Sequence, residues 1–572
     1  MIGIDNLKFN EFFLRSAQLW QFKNNYDFLD FIKLSQEQID IIEKKDAQML
    51  INGSAGSGKS ITLLYKMIKV MMDEKVPQRI LYLTFNSTLV SDTYKRACLS
   101  EKFQEYRNYH EINIWTFHKM SYEILSKMGL KNVKNLNINI DTIESFTNTI
   151  CGRLYPIWEY YTNPSQEGYR ELEYSERLYS THDVNFLAEE ILWMKANGYV
   201  KKDDYLEIER NGRGNAPRLT KTQRNTIYKI FLEYERRKED MYHGHMDLED
   251  YALKLLENFN YIPEELYYDY IFVDEVQDLQ AMQLKVLAKL AKRTIVIAGD
   301  SKQKIYKRSP HSYADLGINI IGNRNKTLTR TFRSTKQIVK LANSLSFADI
   351  ERDKIHDIEE MEEGDMPEIH YYPKIKNQIR YIIKEIKKIH SMEEGATIAV
   401  IHREEDKILR RQKSYLRKQL EMNFRLIGVE SYNRRFNYND SKKPIFYTDI
   451  YSVKGLEFDY IFIVNFDKNN YPKKSKIIKV QKYHNIQSSD SGKLYKQDKQ
   501  DIEDEEKKLL YVAITRAKKN VFLTYSGERF MDISTYVKEF DAKDYIAHGF
   551  NKTDIKRKEE NAEEEIMAIV FG

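Results

Sequence analysis

The sequence runs to 572 residues, 42% hydrophobic and 31% charged, with a formal net charge of +5. That length predicts several domains and more than one hydrophobic core, and the small net charge confines any polyanion to a local groove. Cys98 and Cys151 have neither a pairing logic nor metal-ligand spacing, and there is no leader pattern or membrane-length apolar run, so the expectation is a cytoplasmic chain with no membrane partner.

Residues 1–33 set apolar and aromatic positions at helical spacing (Phe9, Phe12, Phe13, Leu19, Trp20, Phe22), which predicts an N-terminal helical segment. Ser35 can cap the helix that follows, and the amide of Gln38 offers the donor and acceptor together that an adenine edge requires. Met49 to Ser60 then reads MLINGSAGSGKS: an apolar run, a glycine-rich turn, and a lysine-serine pair opening an apolar helix. This is G-x-x-x-x-G-K-[ST] in its strand-to-helix context. Gly53, Ser54, Ala55, Gly56, Ser57 and Gly58 form a loop whose N–H groups can cradle phosphates; Lys59 reaches the β- and γ-phosphates and Ser60 holds Mg²⁺. The stretch predicts binding of a nucleoside triphosphate, with ATP and Mg²⁺ as the expected pair.

Arg79–Phe85 (RILYLTF) and Ile112–His118 (INIWTFH) read as buried strands. Their C-terminal ends, Thr84-Phe85-Asn86 and Thr116-Phe117-His118, lie where α/β proteins bind ligands, and hydroxyls beside an aromatic suit a nucleic-acid strand. Each phenylalanine fits a core position as well. From Tyr122 to Leu266 helical periodicity replaces the strand pattern, predicting a mainly helical insertion. Within it the basic run Arg210, Arg213, Arg218, Lys221 and Arg224 offers phosphate contacts, though a solvated surface loop fits the same residues. The strand pattern returns at Asp269–Glu275, where Asp274 can hold the metal and Glu275 can activate water, and at Thr294–Asp300, just before Gln303, whose amide can sense the γ-phosphate.

The lysine loop, Asp-Glu-Val-Gln-Asp (274–278) and Gly-Asp-Ser-Lys-Gln-Lys-Ile-Tyr (299–306) resemble motifs I, II and III of the UvrD/Rep-type superfamily 1 helicases. Residues 327–334 (TLTRTFRS) resemble motif IV, 452–458 (SVKGLEF) motif V and 505–517 (EEKKLLYVAITRA) motif VI. Gln38 and the Thr84 and Thr116 segments resemble the Q, Ia and Ib motifs. The resemblance, spanning about residues 34–526, implies an α/β fold of two RecA-like P-loop domains with parallel sheets. It implies a γ-phosphate arginine at Arg333, a base-stacking ring at Phe332, a ribose contact at Glu457 and a second arginine finger at Arg516. The expected layout is an N-terminal segment (1–33), domain 1A (34–121 and 267–326), a helical 1B insertion (122–266), domain 2A (327–550) and a charged tail (551–572). The activity implied is ATP-driven 3′→5′ travel on single-stranded DNA.

Three departures bear on that activity. Arg308, with Tyr306 nearby, stands where the family places a base-stacking tryptophan. Asp449 and Tyr451 replace the threonine and histidine that open motif V, and a carboxylate about 4 Å from a phosphate costs on the order of 1–4 kcal/mol. The interval from Ser334 to Asp449 leaves room for only a reduced 2B domain, or none. Translocation is therefore a firmer expectation than processive unwinding, and a partner-dependent ATPase switch is the alternative. RNA as the track stays open because the motifs contain no reader of the 2′-hydroxyl.

Overall fold

Strands buried on both faces build the first sheet. β1 (Met49–Gly53), β2 (Arg79–Thr84), β3 (Glu111–Thr116), β4 (Tyr268–Val273), β5 (Ala291–Gly299) and β6 (Asn325–Leu328) stand in the order β3-β2-β4-β5-β1-β6. Every pairing is parallel. Side chains alternate between faces along a strand. Leu81, Leu83, Ile271, Val273, Ile295 and Ile297 thus enter one core, and Ile80, Tyr82, Tyr270, Phe272, Val296 and Ala298 the opposite one. Helices cover both faces, as an all-parallel sheet requires.

This computed structural model describes residues 28–29, 34–45, 48–53, 56–138, 140–208, 217, 219–300, 311–328, 334–346, 361–403, 414–428, 440–453, 456–484 and 491–555. Most of the expected N-terminal segment lies outside these, as do Ser54, Ala55, Gln303, Tyr306, Arg308, Phe332, Arg333, the basic positions Arg210, Arg213 and Arg218, and the tail from 556.

The second sheet contains β7 (Glu368–Tyr372), β8 (Ile398–His402), β9 (Arg425–Ile427), β10 (Pro444–Asp449), β11 (Phe458–Val464), β12 (Ala517–Ser526) and β13 (Ile546–His548). Their order is β13-β7-β12-β11-β8-β10-β9, again parallel throughout. Ala399, Ile401, Ile461, Ile463, Val521 and Leu523 face one core, and Ile398, Val400, Phe462, Val464 and Phe522 the other. The fold is α/β with two parallel-sheet units of the RecA-like kind, as expected.

Between β3 and β4 the described residues form helices and no strand. The helices Ile140–Thr162, Val184–Asn197 and Lys221–Tyr242 share a core of their own (Leu154, Ile157, Leu187, Ile191, Ile227, Ile230). Of the described members of the basic run, Arg224 turns toward the fold, while Lys221 stays exposed in a surface ion pair. Arg224 donates to the carbonyls of Tyr205, Leu206 and Ile208 at 3.3, 3.0 and 2.7 Å, and Lys221 pairs with Glu207 at 2.8 Å. A guanidinium placed beside the open carbonyls that end the Lys202–Glu207 helix satisfies them and favours its dipole. No helix among the described residues is long and apolar enough to cross a membrane.

Candidate nucleotide site and nucleic-acid interface

The loop after β1 closes through two left-handed residues, Gly56 (φ 82°) and Gly58 (φ 83°), a conformation that is costly for any residue with a Cβ. Gly58 caps the helix Lys59–Asp73, whose first residues are Lys59 and Ser60. Lys59 is buried, and its ammonium donates to Gly53 O at 2.8 Å. Ser57 Oγ is fully buried and, among the described residues, meets no hydrogen-bond partner. A buried hydroxyl without a partner costs about 1–3 kcal/mol. An orphaned hydroxyl, a buried ammonium and a helix N-terminus within one turn make a donor set that fits the oxygens of a triphosphate.

Carboxylates come from the strand two places away in the sheet. Asp274 continues β4, its N–H donating to Leu83 O at 2.9 Å, and Tyr82 Oη donates to Asp274 Oδ2 at 3.3 Å. The Ser60 hydroxyl hydrogen-bonds the same carboxyl. Burial, and then the adjacent Glu275 charge, push Asp274 up to about 6, against the pull of Ser60 and Lys59. Hydroxyl plus buried carboxylate is a set of hard oxygens suited to Mg²⁺. Glu275 sits in the left-handed region at φ 52°, unusual for a non-glycine residue and a form of strain that clusters at working sites. Gln277 Nε2 donates to Glu275 Oε2, while Gln277 Oε1 accepts from the N–H of Asp300 at 3.2 Å. Gln277 and Tyr82 are among the described residues near this site to which sequence reasoning assigned no role. The signal for Gln277 was its place two residues beyond Glu275, and Tyr82 reads in sequence as plain strand core.

Gln38 is only 3% exposed, and both ends of its amide are engaged inside the fold. Oε1 accepts from Ser35 N–H at 2.8 Å, completing the expected helix cap, and Nε2 donates to Thr62 Oγ1 at 3.0 Å. Thr62 in turn donates to Gly58 O at 2.9 Å, so Gln38 braces the phosphate loop. In the second unit Glu457, Arg516 and Ser334 gather around the start of β11 and β12. Phe458 N–H donates to Arg516 O at 2.9 Å, Lys518 pairs with Glu457 at 3.2 Å, and Ser334 Oγ donates to Ala517 O at 2.6 Å. Arg516 is almost fully buried, its Nε donating to Val512 O at 3.2 Å.

On the nucleic-acid side the polar atoms of the two strand-end segments serve the fold. Thr84 Oγ1 donates to Asn86 O at 3.2 Å, Asn86 Oδ1 caps the next helix through Leu89 N–H, and Thr116 Oγ1 caps another through Lys119 N–H. His118 is buried against Tyr251 with Nε2 3.1 Å from Leu248 O, and burial lowers its pKa to about 4. It is a neutral anchoring imidazole and not an exposed cation. Phe85 and His118 do line a cavity of about 970 Å³ together with Trp193, Gln277, Asp300 and, from the second unit, Tyr451. Glu249 also lines it, and burial pushes that carboxyl up to about 7, which weakens one of the several acidic charges around the cavity. Asp449, whose charge would be costly close to a phosphate, is engaged by its own turn: Oδ1 accepts from Tyr451 and Ser452 N–H at 2.8 and 3.2 Å, and Oδ2 accepts from Ser452 Oγ. Tyr451 packs under Arg403, which pairs with the buried Glu506 at 2.5 Å.

Comparison with known proteins gives the family. Residues 34–308 match the UvrD/REP helicase N-terminal domain and residues 430–528 the UvrD-like helicase C-terminal domain. The chain is 26% identical over 332 residues to an ATP-dependent DNA helicase PcrA of Leuconostoc citreum, covering 54% of this chain and 39% of that protein. A putative ATP-dependent DNA helicase YjcD of Bacillus subtilis is 26% identical over 325 residues, covering 54% and 38%. The matched region thus spans about two fifths of the length of these two relatives. A probable DNA helicase of Mycoplasma pneumoniae is 23% identical over 504 residues, covering 86% of this chain and 83% of that one. With two family domains matched in order and two parallel-sheet units, the chain belongs to the UvrD/Rep-type superfamily 1 helicases.

Proposed function

We propose that this protein is an ATP-dependent translocase of single-stranded DNA, moving 3′→5′, with helicase activity secondary to translocation. The observation that carries the reading is the chain Lys59, Ser60, Asp274, Glu275, Gln277, in which a buried triphosphate-type donor set leads through hydrogen bonds toward a cavity lined by both units. Lys59 and the loop N–H groups would bind the β- and γ-phosphates. When bound, Mg²⁺ neutralises charge on those phosphates, and Ser60 and Asp274 are the residues that would hold it. Glu275 would take a proton from the attacking water, its carboxylate oriented by the Gln277 amide. Arg333 and Arg516 are assigned to the charge developing on the transferred phosphoryl, a contribution worth about 10³–10⁵ in rate when such an arginine engages. Arg516 belongs to the second unit and Lys59 to the first, so its engagement calls for closure of the two units around ATP.

Phe85 and the cavity it lines are the proposed seat of the strand's bases, which stack on aromatic faces without sequence preference. A reduced 2B domain is part of the proposal. In its support, β7, β8, β9 and β10, spread along the interval from Ser334 to Asp449, all belong to the second sheet. The test is ATP turnover by the full chain with single-stranded DNA, single-stranded RNA and duplex, each at low and high salt. Strong stimulation by single-stranded DNA, abolished in Lys59→Ala and Glu275→Gln, is the expected result. Turnover independent of any polynucleotide would sink the reading, and stimulation by RNA alone would change the track.

A further inference from the structure

The second sheet ends in a short strand that the nucleotide chemistry does not use. β13 runs parallel to β7 with His548 opposite His370 and Ile546 opposite Glu368. Residues two apart on one strand share a face, and register partners on adjacent strands stand side by side. Glu368, His370 and His548 therefore rise from the same face of the sheet edge. His370 Nε2 lies 2.7 Å and His548 Nε2 3.1 Å from one oxygen, Glu368 Oε2. The donor atoms of all three residues fall within 4.8 Å of one another. His370 is buried beneath Tyr381, with the rings 4.1 Å apart, and Tyr372 Oη stands 3.2 Å from its Nδ1. The backbone secures the register just beyond the cluster. Gly549 has φ 82°, and a Cβ there would come within 2.3 Å of Tyr371 O, so only glycine allows the chain to leave β7 this closely.

We propose that Glu368, His370 and His548 form a binding site for a divalent transition-metal ion of the zinc type, which fastens β13 to β7. Two imidazoles and a carboxylate, with a fourth position left for water, match the ligand preference of zinc. Zinc takes such donors at about 2.0–2.2 Å, which in tetrahedral geometry sets them about 3.3 Å apart. The gaps of 2.7 and 3.1 Å need only widen slightly. The two imidazoles stack with centroids 4.2 Å apart and planes 8° apart, so their lone pairs run side by side. His548, with its side chain 46% exposed, is the ring with room to turn and bring Nε2 onto the ion. His370 needs no such movement. With its Nε2 on the metal, its Nδ1–H would donate to Tyr372 Oη, an outer partner of the sort that orients metal-bound histidine.

The experiment uses the full chain, stripped with EDTA and dialysed, then titrated with zinc chloride in competition with a chromogenic chelator. Melting temperature is read with and without zinc. One zinc ion per chain and a zinc-dependent rise in melting temperature are expected. His548→Ala and Glu368→Gln should each weaken zinc binding about tenfold or more and remove that rise, while a Cys98→Ser/Cys151→Ser double variant keeps both. Because His548 is exposed, His548→Ala is expected to fold, and its zinc-free melting temperature serves as the check. A chain that takes up no stoichiometric zinc, or a His548→Ala variant that binds it as well as the parent, overturns the proposal.

Discussion

Gln277 holds Glu275 with one end of its amide and the backbone of Asp300 with the other, while its side chain lines the cavity. A strand entering that cavity would press on the residue that orients the proposed base. Gln277→Ala is therefore expected to leave ATP binding intact but to reduce the ratio of DNA-stimulated to basal ATP turnover about tenfold, read from steady-state rates with and without oligothymidine. Asp274 gives a pH signature. A carboxyl raised to about 6 holds its proton more tightly folded than unfolded, so ionising it destabilises the fold as pH climbs from about 4 to 6. A cation paired with the ionised group restores that stability. The rise in melting temperature caused by Mg²⁺ with a non-hydrolysable ATP analogue should thus be larger at about pH 7.5 than at about pH 5.5, and equal shifts would count against Asp274 as the ligand. Asp449 shows what single residues conceal in sequence: a carboxylate that reads as hostile to phosphate proves to be bound by two N–H groups and a hydroxyl of its own turn.

Strands β1 to β5 and the helical character of the insertion were legible because periods of two and 3.6 are written along the chain. What the helical insertion encloses was not. Lys195, 1% exposed, meets Glu235, Asp247 and Asp250 at 2.5, 2.5 and 2.9 Å, and Lys238 reaches Asp250 at 2.6 Å. These residues come from the helices Val184–Asn197, Lys221–Tyr242 and Asp250–Glu257 and, for Asp247, from the connection before the last of these, so only packing assembles them. Removing one buried partner strands the others, at about 3–5 kcal/mol. Lys195→Met should therefore lower the melting temperature of the insertion by about 6 °C or more, checked by thermal melts followed at Trp193 fluorescence. Burial would raise the Asp250 carboxyl, but Lys195 and Lys238 override it and hold it at about 2. Its contribution is accordingly present above about pH 4 and lost as pH falls toward 2, which acid titration of the same melts will register. Arg224 carries the same lesson, since a basic run in sequence does not disclose which guanidinium faces a helix end.

At the scale of the whole molecule, two parallel sheets present their motifs from separate stretches of chain, and the cavity draws on both units. Among the described residues that line the cavity there is no lysine or arginine, so binding of single-stranded DNA there is expected to weaken only modestly with salt. The slope of log K against log salt falls by about 0.7 for each phosphate neutralised, so a shallow slope measured by fluorescence anisotropy is expected, and a steep one would point to a larger basic surface. Arrival at a 5′-end label on a single strand should also outpace strand separation on a tailed duplex.

The sequence by itself determined the fold class, the phosphate-loop pattern and the family resemblance, because glycine-rich loops, strand-end carboxylates and hydrophobic periods are local patterns. Only the tertiary structure decided that Gln38 braces the phosphate loop, that Gln277 links Glu275 to Asp300, that Asp449 is sealed in its turn, and that His548 comes to lie beside His370. Each of these depends on which partner occupies a donor or acceptor across the fold. Hydrogen-bond satisfaction between distant segments leaves no periodic trace in the chain.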